Sequence, residues 1–174
     1  MDILISSNLE RMLFEMTGGD DAAVRDYMGR LNTAGRYQVS DEVKEKLDGV
    51  FASGCCDDRE TQRVIGAVYK AHDYLIDPHT AVAFSALEQY RAETGDETPC
   101  VVVSTASPYK VCDSVLHAIG EDPVASSVDR IDQLQAVSGV AAPKRLAALR
   151  GKAPRFDGVT DREKMEFVVL DFLR

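Results

Sequence analysis

The chain has 174 residues, a net charge of -9, 45% hydrophobic residues and 28% charged residues. This composition is that of an ordinary globular protein, and its acidic surface repels phosphate backbones, so nucleic acid is not an expected partner. No stretch approaches the roughly 20 apolar residues of a membrane span, so no membrane partner is expected either.

The chain has four cysteines, which are Cys55, Cys56, Cys100 and Cys112. They form neither a C-x-x-C nor a C-x-x-H pattern, and adjacent cysteines pair poorly with each other. We therefore expect four reduced thiols and a cytoplasmic protein.

Four helices are predicted in the first half of the chain. Ser7 and Glu10 form a capping box that starts the first helix, and Gly35 suits the end of the second. Apolar residues recur at three- and four-residue spacing in all four segments, which are 8–16, 20–35, 40–47 and 59–74.

A fifth helix and a strand follow. Asp77 suits the N-cap position, Pro78 the first helical position, and Gly95 the residue after the helix. Cys100–Ser104 is a valine-rich run after a proline, which is typical of a buried strand in a parallel sheet. Ile3–Ser6 is a possible second strand.

The remaining segments alternate between helices and loops. A helix is predicted over 109–119, and a capping box of Thr160 and Glu163 predicts another helix near the C-terminus. Residues 120–140 and 151–158 are predicted loops, because prolines in or near them interrupt the helical pattern.

One convincing strand is too little for an independent α/β domain. A buried strand needs neighbours on both edges, and the only other candidate is Ile3–Ser6. The pattern therefore indicates a helix-rich part of a larger α/β protein.

Three stretches resemble the threonine synthase family, of the bacterial and fungal type. They are Met1–Arg11 (MDILISSNLER), Tyr74–Ala83 (YLIDPHTAVA) and Pro99–Lys110 (PCVVVSTASPYK), and they occur in the family's order. The resemblance implies the C-terminal part of the tryptophan-synthase-β-like, or fold type II, pyridoxal-phosphate enzyme fold, with a short parallel sheet remnant. It implies one region over 1–174, with a matching core at 1–120 and a helical tail at 121–174.

The resemblance also implies a set of cofactor-binding residues. Thr105 matches the hydroxyl that meets the pyridine nitrogen of pyridoxal phosphate, with Ser104 beside it. A neutral hydroxyl, unlike a carboxylate, does not hold that nitrogen protonated. The other implied residues form the junction Asp77, Pro78, His79 and Thr80 against the cofactor ring, where a helix N-terminus favours anionic groups.

Simpler interpretations of the same residues remain open. Ser104 and Thr105 can simply end a strand and satisfy backbone groups of the next turn. Asp77 is a good N-cap in its own right, and a histidine at a helix start such as His79 is commonly a surface or packing residue. His72, Asp73, Asp77 and His79 contain metal-ligand types, but Pro78 divides them between two elements, so no metal is predicted.

Other parts of the family's active site have no match in this sequence. In the family, the lysine that carries the cofactor and the glycine-rich phosphate cradle lie upstream of the segment matched by Met1–Arg11. Lys110 is a solvated or helix-start lysine and not a substitute. We therefore expect no catalytic residue in this chain, no bound cofactor and no activity in isolation.

In the full enzyme, the resemblance implies a lyase of threonine biosynthesis that converts O-phospho-L-homoserine to L-threonine and phosphate. The expected partners are the missing N-terminal portion of the enzyme, this substrate and a second copy of the chain in a homo-oligomer. The alternatives are a non-catalytic helical binding or assembly module derived from the same fold, and a plain helical interaction domain with chance similarity.

Overall fold

The computed structural model describes residues 5–153, 155–156 and 158–173. Within those residues the regular structure is helical, and no strand is formed. The chain divides into two compact units, Met1–Pro123 and Val124–Arg174. No helix in the described part is long and apolar enough to cross a membrane.

Among the described residues, six α-helices build the first unit. They are α1 (Ser7–Met16), α2 (Asp21–Ala34), α3 (Asp41–Asp48), α4 (Asp58–His72), α5 (Pro78–Thr94) and α6 (Cys112–Ala118). A short 3-10 helix, Pro108–Val111, leads directly into α6. The predicted helices of this unit are confirmed to within two residues at most ends.

Side-chain caps explain most of the helix starts. Asp20, Ser40, Asp57 and Asp77 each accept hydrogen bonds from first-turn amides of α2 to α5. The predicted capping box at Ser7 is wrong by one residue, because the Ser6 hydroxyl accepts the bond from the Leu9 amide and caps α1.

Two sets of buried side chains hold the first unit together. Leu13, Val24, Tyr27 and Val43 form a cluster that joins α1, α2 and α3, and the rings of Tyr27 and Tyr37 stack with centroids 5.5 Å apart. Helix α4 packs against both α5 and α6. The largest fully buried apolar side chains of α4 and α6 are Val64, Ile65, Val115 and Leu116.

The predicted buried strand at Cys100–Ser104 is wrong. Val101 is 90% exposed and Val103 is 69% exposed. Residues 99–106 make no backbone–backbone hydrogen bond within the described chain. A valine-rich run favours a strand, but pairing needs a neighbouring strand, and the described residues provide none. Half of the other strand candidate, Ile3–Ser6, falls outside the described residues, and Ser6 caps α1.

The second unit contains α7 (Asp129–Ser138), α8 (Lys144–Ala147), a 3-10 turn at Arg162–Lys164 and α9 (Met165–Phe172). The prediction of a loop over 120–140 is therefore wrong for residues 129–138, which form α7. Ile131 and Leu134 are buried one turn apart, and no side chain of the N-cap residue marks the start of α7. The local signal lies two residues before the N-cap position, at Ser126, whose hydroxyl accepts a hydrogen bond from the Asp129 amide at 3.3 Å.

The C-terminal helix exists, but it begins differently from the prediction. Asp161 precedes the 3-10 turn and makes no side-chain cap, so the predicted box of Thr160 and Glu163 is not formed. The apolar side chains of α9 are exposed within the described chain, and they are Met165, Phe167, Val168, Val169, Leu170 and Phe172. The predicted loop at 151–158 falls partly outside the described residues.

Two helical glycines give a matched test of the packing between α4 and α6. A Cβ at Gly66 would lie 2.5 Å from the Ala118 carbonyl oxygen, whereas a Cβ at Gly29 in α2 meets nothing within 4 Å. We expect Gly66→Ala to lower the free energy of unfolding by about 1–3 kcal/mol, because a backbone carbonyl moves only with its helix. Gly29→Ala should raise it by up to about 1 kcal/mol through helix propensity.

Urea unfolding of both variants measures the two effects. Equal stabilisation by the two substitutions would contradict the close approach of α4 and α6.

Candidate functional site

The start of α5 is organised by one buried carboxylate. Asp77 has an exposed fraction of 0% and follows the buried residues Leu75 and Ile76. Its Oδ1 accepts hydrogen bonds from the amides of His79, at 2.8 Å, and Thr80, at 3.4 Å. Its Oδ2 accepts a short hydrogen bond from the Thr80 hydroxyl. The carboxylate is therefore satisfied within its own first helical turn.

The expected preference of this helix N-terminus for an anionic ligand is not supported by the geometry. The amides of His79 and Thr80 already donate to Asp77, which is itself the acidic group at this end of the helix. A further anion would compete for the same donors against a neighbouring carboxylate.

A second hydrogen bond extends from this junction to the valine-rich segment. The hydroxyl oxygens of Thr80 and Ser104 are 3.0 Å apart. A hydroxyl group has one proton, and the Thr80 proton is directed to the Asp77 carboxylate, which can only accept. Ser104 must then donate to the Thr80 oxygen. The order of donation is Ser104 to Thr80 to Asp77.

The other end of the segment is attached to the C-terminal part of α5. Asp96 accepts hydrogen bonds from the Thr98 amide at 2.8 Å and from the Tyr90 hydroxyl at 3.0 Å. Hydrogen bonds from Thr98, and then the one from Tyr90, lower the pKa of Asp96. The hydrogen bond to Asp96 raises the pKa of Tyr90. This polar contact was not found from the sequence, although Asp-x-Thr is a pattern typical of an Asx turn.

The two attachments determine the direction of the segment. Tyr90 and Thr80 are separated by about 15 Å of helix, at 1.5 Å per residue. Because Asp96 lies at Tyr90 and Ser104 lies at Thr80, residues 96–104 run back along α5 in the antiparallel direction. The segment thus ends beside the helix start.

Thr105 follows immediately and is exposed. Its hydroxyl has no hydrogen-bond partner among the described residues, whereas Ser107 caps the next 3-10 turn by accepting from the Tyr109 amide. Tyr109 is buried and anchors that turn. Thr105 therefore lies between two fixed points, with its own side chain available to a ligand.

The structure thus brings together three of the six predicted site residues directly. Asp77, Thr80 and Ser104 form one hydrogen-bonded chain, and Thr105 is the next residue along the backbone. Pro78 is buried as the first residue of α5, and the His79 side chain is exposed. Lys110 is also exposed.

Two N-caps that differ in burial test the importance of the junction. Asp57 of α4 is exposed and caps one amide, whereas Asp77 is buried and accepts three hydrogen bonds. We expect Asp57→Ala to cost about 1 kcal/mol of unfolding free energy. Asp77→Ala should cost about 2–4 kcal/mol, because it also leaves the buried Thr80 hydroxyl without its acceptor.

Thermal or urea unfolding of both variants at neutral pH distinguishes the two caps. If Asp77→Ala costs no more than Asp57→Ala, the buried junction contributes nothing beyond an ordinary N-cap.

A family model described as "Threonine synthase, C-terminal" matches residues 80–169, which is more than half of the chain. The match includes Thr80, Ser104 and Thr105. A curated relative, threonine synthase of Corynebacterium glutamicum, is 36% identical over 126 residues. That alignment covers 71% of this chain and 26% of the relative. The chain thus spans about a quarter of the length of such relatives.

Two solved structures are also similar. Threonine synthase from yeast matches with a TM-score of 0.73 and 28% identity, over 99% of this chain and 35% of that chain. The pyridoxal-phosphate-bound threonine synthase from Brucella melitensis matches with a TM-score of 0.59 and 34% identity, over 80% of this chain and 28% of that chain. By the extent of the family match, the chain belongs to the family defined by the C-terminal region of threonine synthase.

Proposed function

We propose that this chain is the C-terminal portion of a threonine synthase and forms part of its active-site wall. In the full enzyme, that site would convert O-phospho-L-homoserine to L-threonine and phosphate. The observation that carries the proposal is the placement of Thr105, which is exposed and has no hydrogen-bond partner among the described residues, beside Ser104 inside the stretch that matches the family. The relatives are named threonine synthase, and we propose the same reaction class, that of a lyase, for the full enzyme.

The cofactor proposed for the full enzyme is pyridoxal phosphate, which is bound in the threonine synthase from Brucella melitensis. When bound, it supplies an electron sink for elimination and replacement at the substrate's side chain. The residues present fit this group, because Thr105 offers an exposed hydroxyl without a competing partner among the described residues. A neutral donor of this kind suits an unprotonated pyridine nitrogen, whereas a carboxylate would favour the protonated form.

The other site residues have supporting parts in this proposal. We assign His79 and Ser104, which are both exposed residues, to the same wall as Thr105. Pro78 and Ile76 support this wall from the interior of the protein, because both are buried at the start of α5. No residue of this chain is assigned the role of the cofactor-carrying lysine or of the phosphate cradle, which we assign to the rest of the enzyme.

The same division of the enzyme explains why we expect the chain alone to be inactive and to hold no cofactor. The relatives are about four times longer than the part matched here.

A reducing compartment such as the cytoplasm suits the chain, because all four cysteines are free thiols.

A chimaeric threonine synthase, in which this chain replaces the matched part of the Corynebacterium glutamicum relative, tests the proposal. We expect it to release phosphate from O-phospho-L-homoserine. Thr105→Ala should lower turnover about ten- to a hundredfold, which corresponds to roughly 1.4–2.7 kcal/mol in the barrier. Thr105→Ser, which keeps the hydroxyl, is the matched control and should retain most of the turnover.

A folded, cofactor-loaded chimaera without activity would favour the alternative of a non-catalytic module. Normal turnover in Thr105→Ala would remove that residue from the active site.

We further propose that the valine-rich segment 99–105 becomes an edge of the fold type II sheet when the rest of the enzyme is present. Val101 and Val103 are highly exposed, and the backbone of this segment has no ladder partner within the described chain. An unpaired valine-rich edge favours pairing with another strand. Without the rest of the enzyme, we expect two copies of the chain to cover this surface in a homo-oligomer.

Light scattering at several concentrations measures that self-association. Val101→Lys places a charge on the most exposed valine of the segment and should shift the chain toward the monomer, while Val124→Lys, at an exposed valine outside the segment, should not. A chain that remains monomeric at high concentration, and is unchanged by Val101→Lys, would contradict the proposed homo-oligomer.

A further inference from the structure

We propose that Asp77 and Thr80 are positioning residues, whose hydrogen-bonded chain to Ser104 places Thr105 and makes its hydroxyl the hydrogen-bond donor of the site. The proposal deepens the function proposed above and rests on it for the identity of the ligand. It assigns no ligand contact to Asp77 or Thr80. Both act through Ser104.

Burial excludes Asp77 and Thr80 from direct contact with a ligand at this surface. Their exposed fractions are 0% and 2%. Both carboxylate oxygens of Asp77 accept hydrogen bonds from its own helical turn, and the Thr80 hydroxyl is engaged on both sides. A ligand would have to displace a protein partner to reach either side chain.

The segment that carries Thr105 has few other restraints. Within the described chain, residues 99–106 form no backbone–backbone hydrogen bond, and the Ser104–Thr80 contact is their only side-chain hydrogen bond to α5. Residue 104 is therefore attached to a rigid helix start through one hydroxyl pair. Because Thr105 is the next residue along the backbone, the attachment of Ser104 also positions Thr105.

The order of donation also distinguishes the two adjacent hydroxyls. The Ser104 proton is directed inward to the Thr80 oxygen, because the Thr80 proton is held by Asp77. Ser104 can then only accept a hydrogen bond from a ligand. Thr105 keeps a free proton, so it is the hydroxyl that can donate to an unprotonated heterocyclic nitrogen.

Three variants of the chain separate this role from a general loss of stability. Thr80→Val removes the hydroxyl with little change in shape, and Thr80→Ser keeps it. Thr61→Val is the matched control, since Thr61 is also a buried helical threonine whose hydroxyl donates to a backbone carbonyl, that of Asp57, at 2.8 Å. Among the described residues, its hydroxyl makes no hydrogen bond to the segment.

The measurement is the NMR backbone order parameter of Ser104 and Thr105 in the full 174-residue chain, with all variants made in the Val101→Lys background so that self-association does not order the segment. We expect values of about 0.8 in the wild type, Thr80→Ser and Thr61→Val, and values below about 0.6 in Thr80→Val. If Thr80→Val fails to fold, Ser104→Ala replaces it, because it removes the exposed end of the chain of hydroxyls and leaves Asp77 and Thr80 paired. Unchanged order parameters in the folded variant, or an equal loss in Thr61→Val, would overturn the proposal.

The same substitutions in the chimaeric enzyme test the consequence for catalysis. We expect Thr80→Val to lower kcat about tenfold with KM for the phosphorylated substrate little changed, and Thr80→Ser to restore kcat. An unchanged kcat in Thr80→Val would overturn the positioning role. The order parameters do not depend on any enzymatic activity. Failure of the positioning role of Thr80 and failure of the proposed function therefore give different results.

Discussion

The Asp77 carboxylate, buried at the first turn of α5, is the constraint on which the arrangement of the site depends. An ionised carboxylate that is removed from water must be satisfied by hydrogen bonds, or its burial costs several kcal/mol. Here the donors are two amides and one hydroxyl of its own helix. That requirement fixes where α5 begins and how the Thr80 side chain is oriented. Because the Thr80 hydroxyl donates to Asp77, the Ser104 hydroxyl must donate to the Thr80 oxygen.

Polar contacts position the segment 96–104, whereas apolar packing positions the helices. The segment is attached by Asp96 near one end of α5 and by Ser104 near the other, and Val101 and Val103 are exposed. Helix α5 itself is held by burial of Ile76 and Ala81 and by its packing on α4. The site therefore combines a rigid support with a lightly attached, extended surface segment.

Local signals predicted the helices of the first unit well. Caps such as Asp20, Ser40 and Asp77 depend on residues only two or three positions away, and so does the glycine that ends α5. The strand prediction failed because pairing depends on a partner that need not be near in sequence. Helix α7 was missed although its start carries a local signal, since the Ser126 hydroxyl accepts a hydrogen bond from the Asp129 amide.

The sequence supplied the candidate residues of the site but not how they are organised. The family resemblance pointed to six residues, and it treated them alike as cofactor contacts. The separation of buried Asp77 and Thr80 from exposed Thr105 and His79 depends on packing, which neighbouring residue types do not specify. The donation order of the hydroxyls needed the distance between Thr80 and Ser104, two residues far apart in the sequence.

The family match begins at Thr80, whereas the structural unit that contains Thr80 begins earlier. A polypeptide shortened to the matched residues would begin after Asp77 and Pro78. It would lose the acceptor for the Thr80 hydroxyl and for the first amides of α5, together with the buried side chains of Leu75 and Ile76. Similarity of sequence and the packing of α5 therefore set different boundaries in this protein, because the residues that support the start of this helix begin at Leu75.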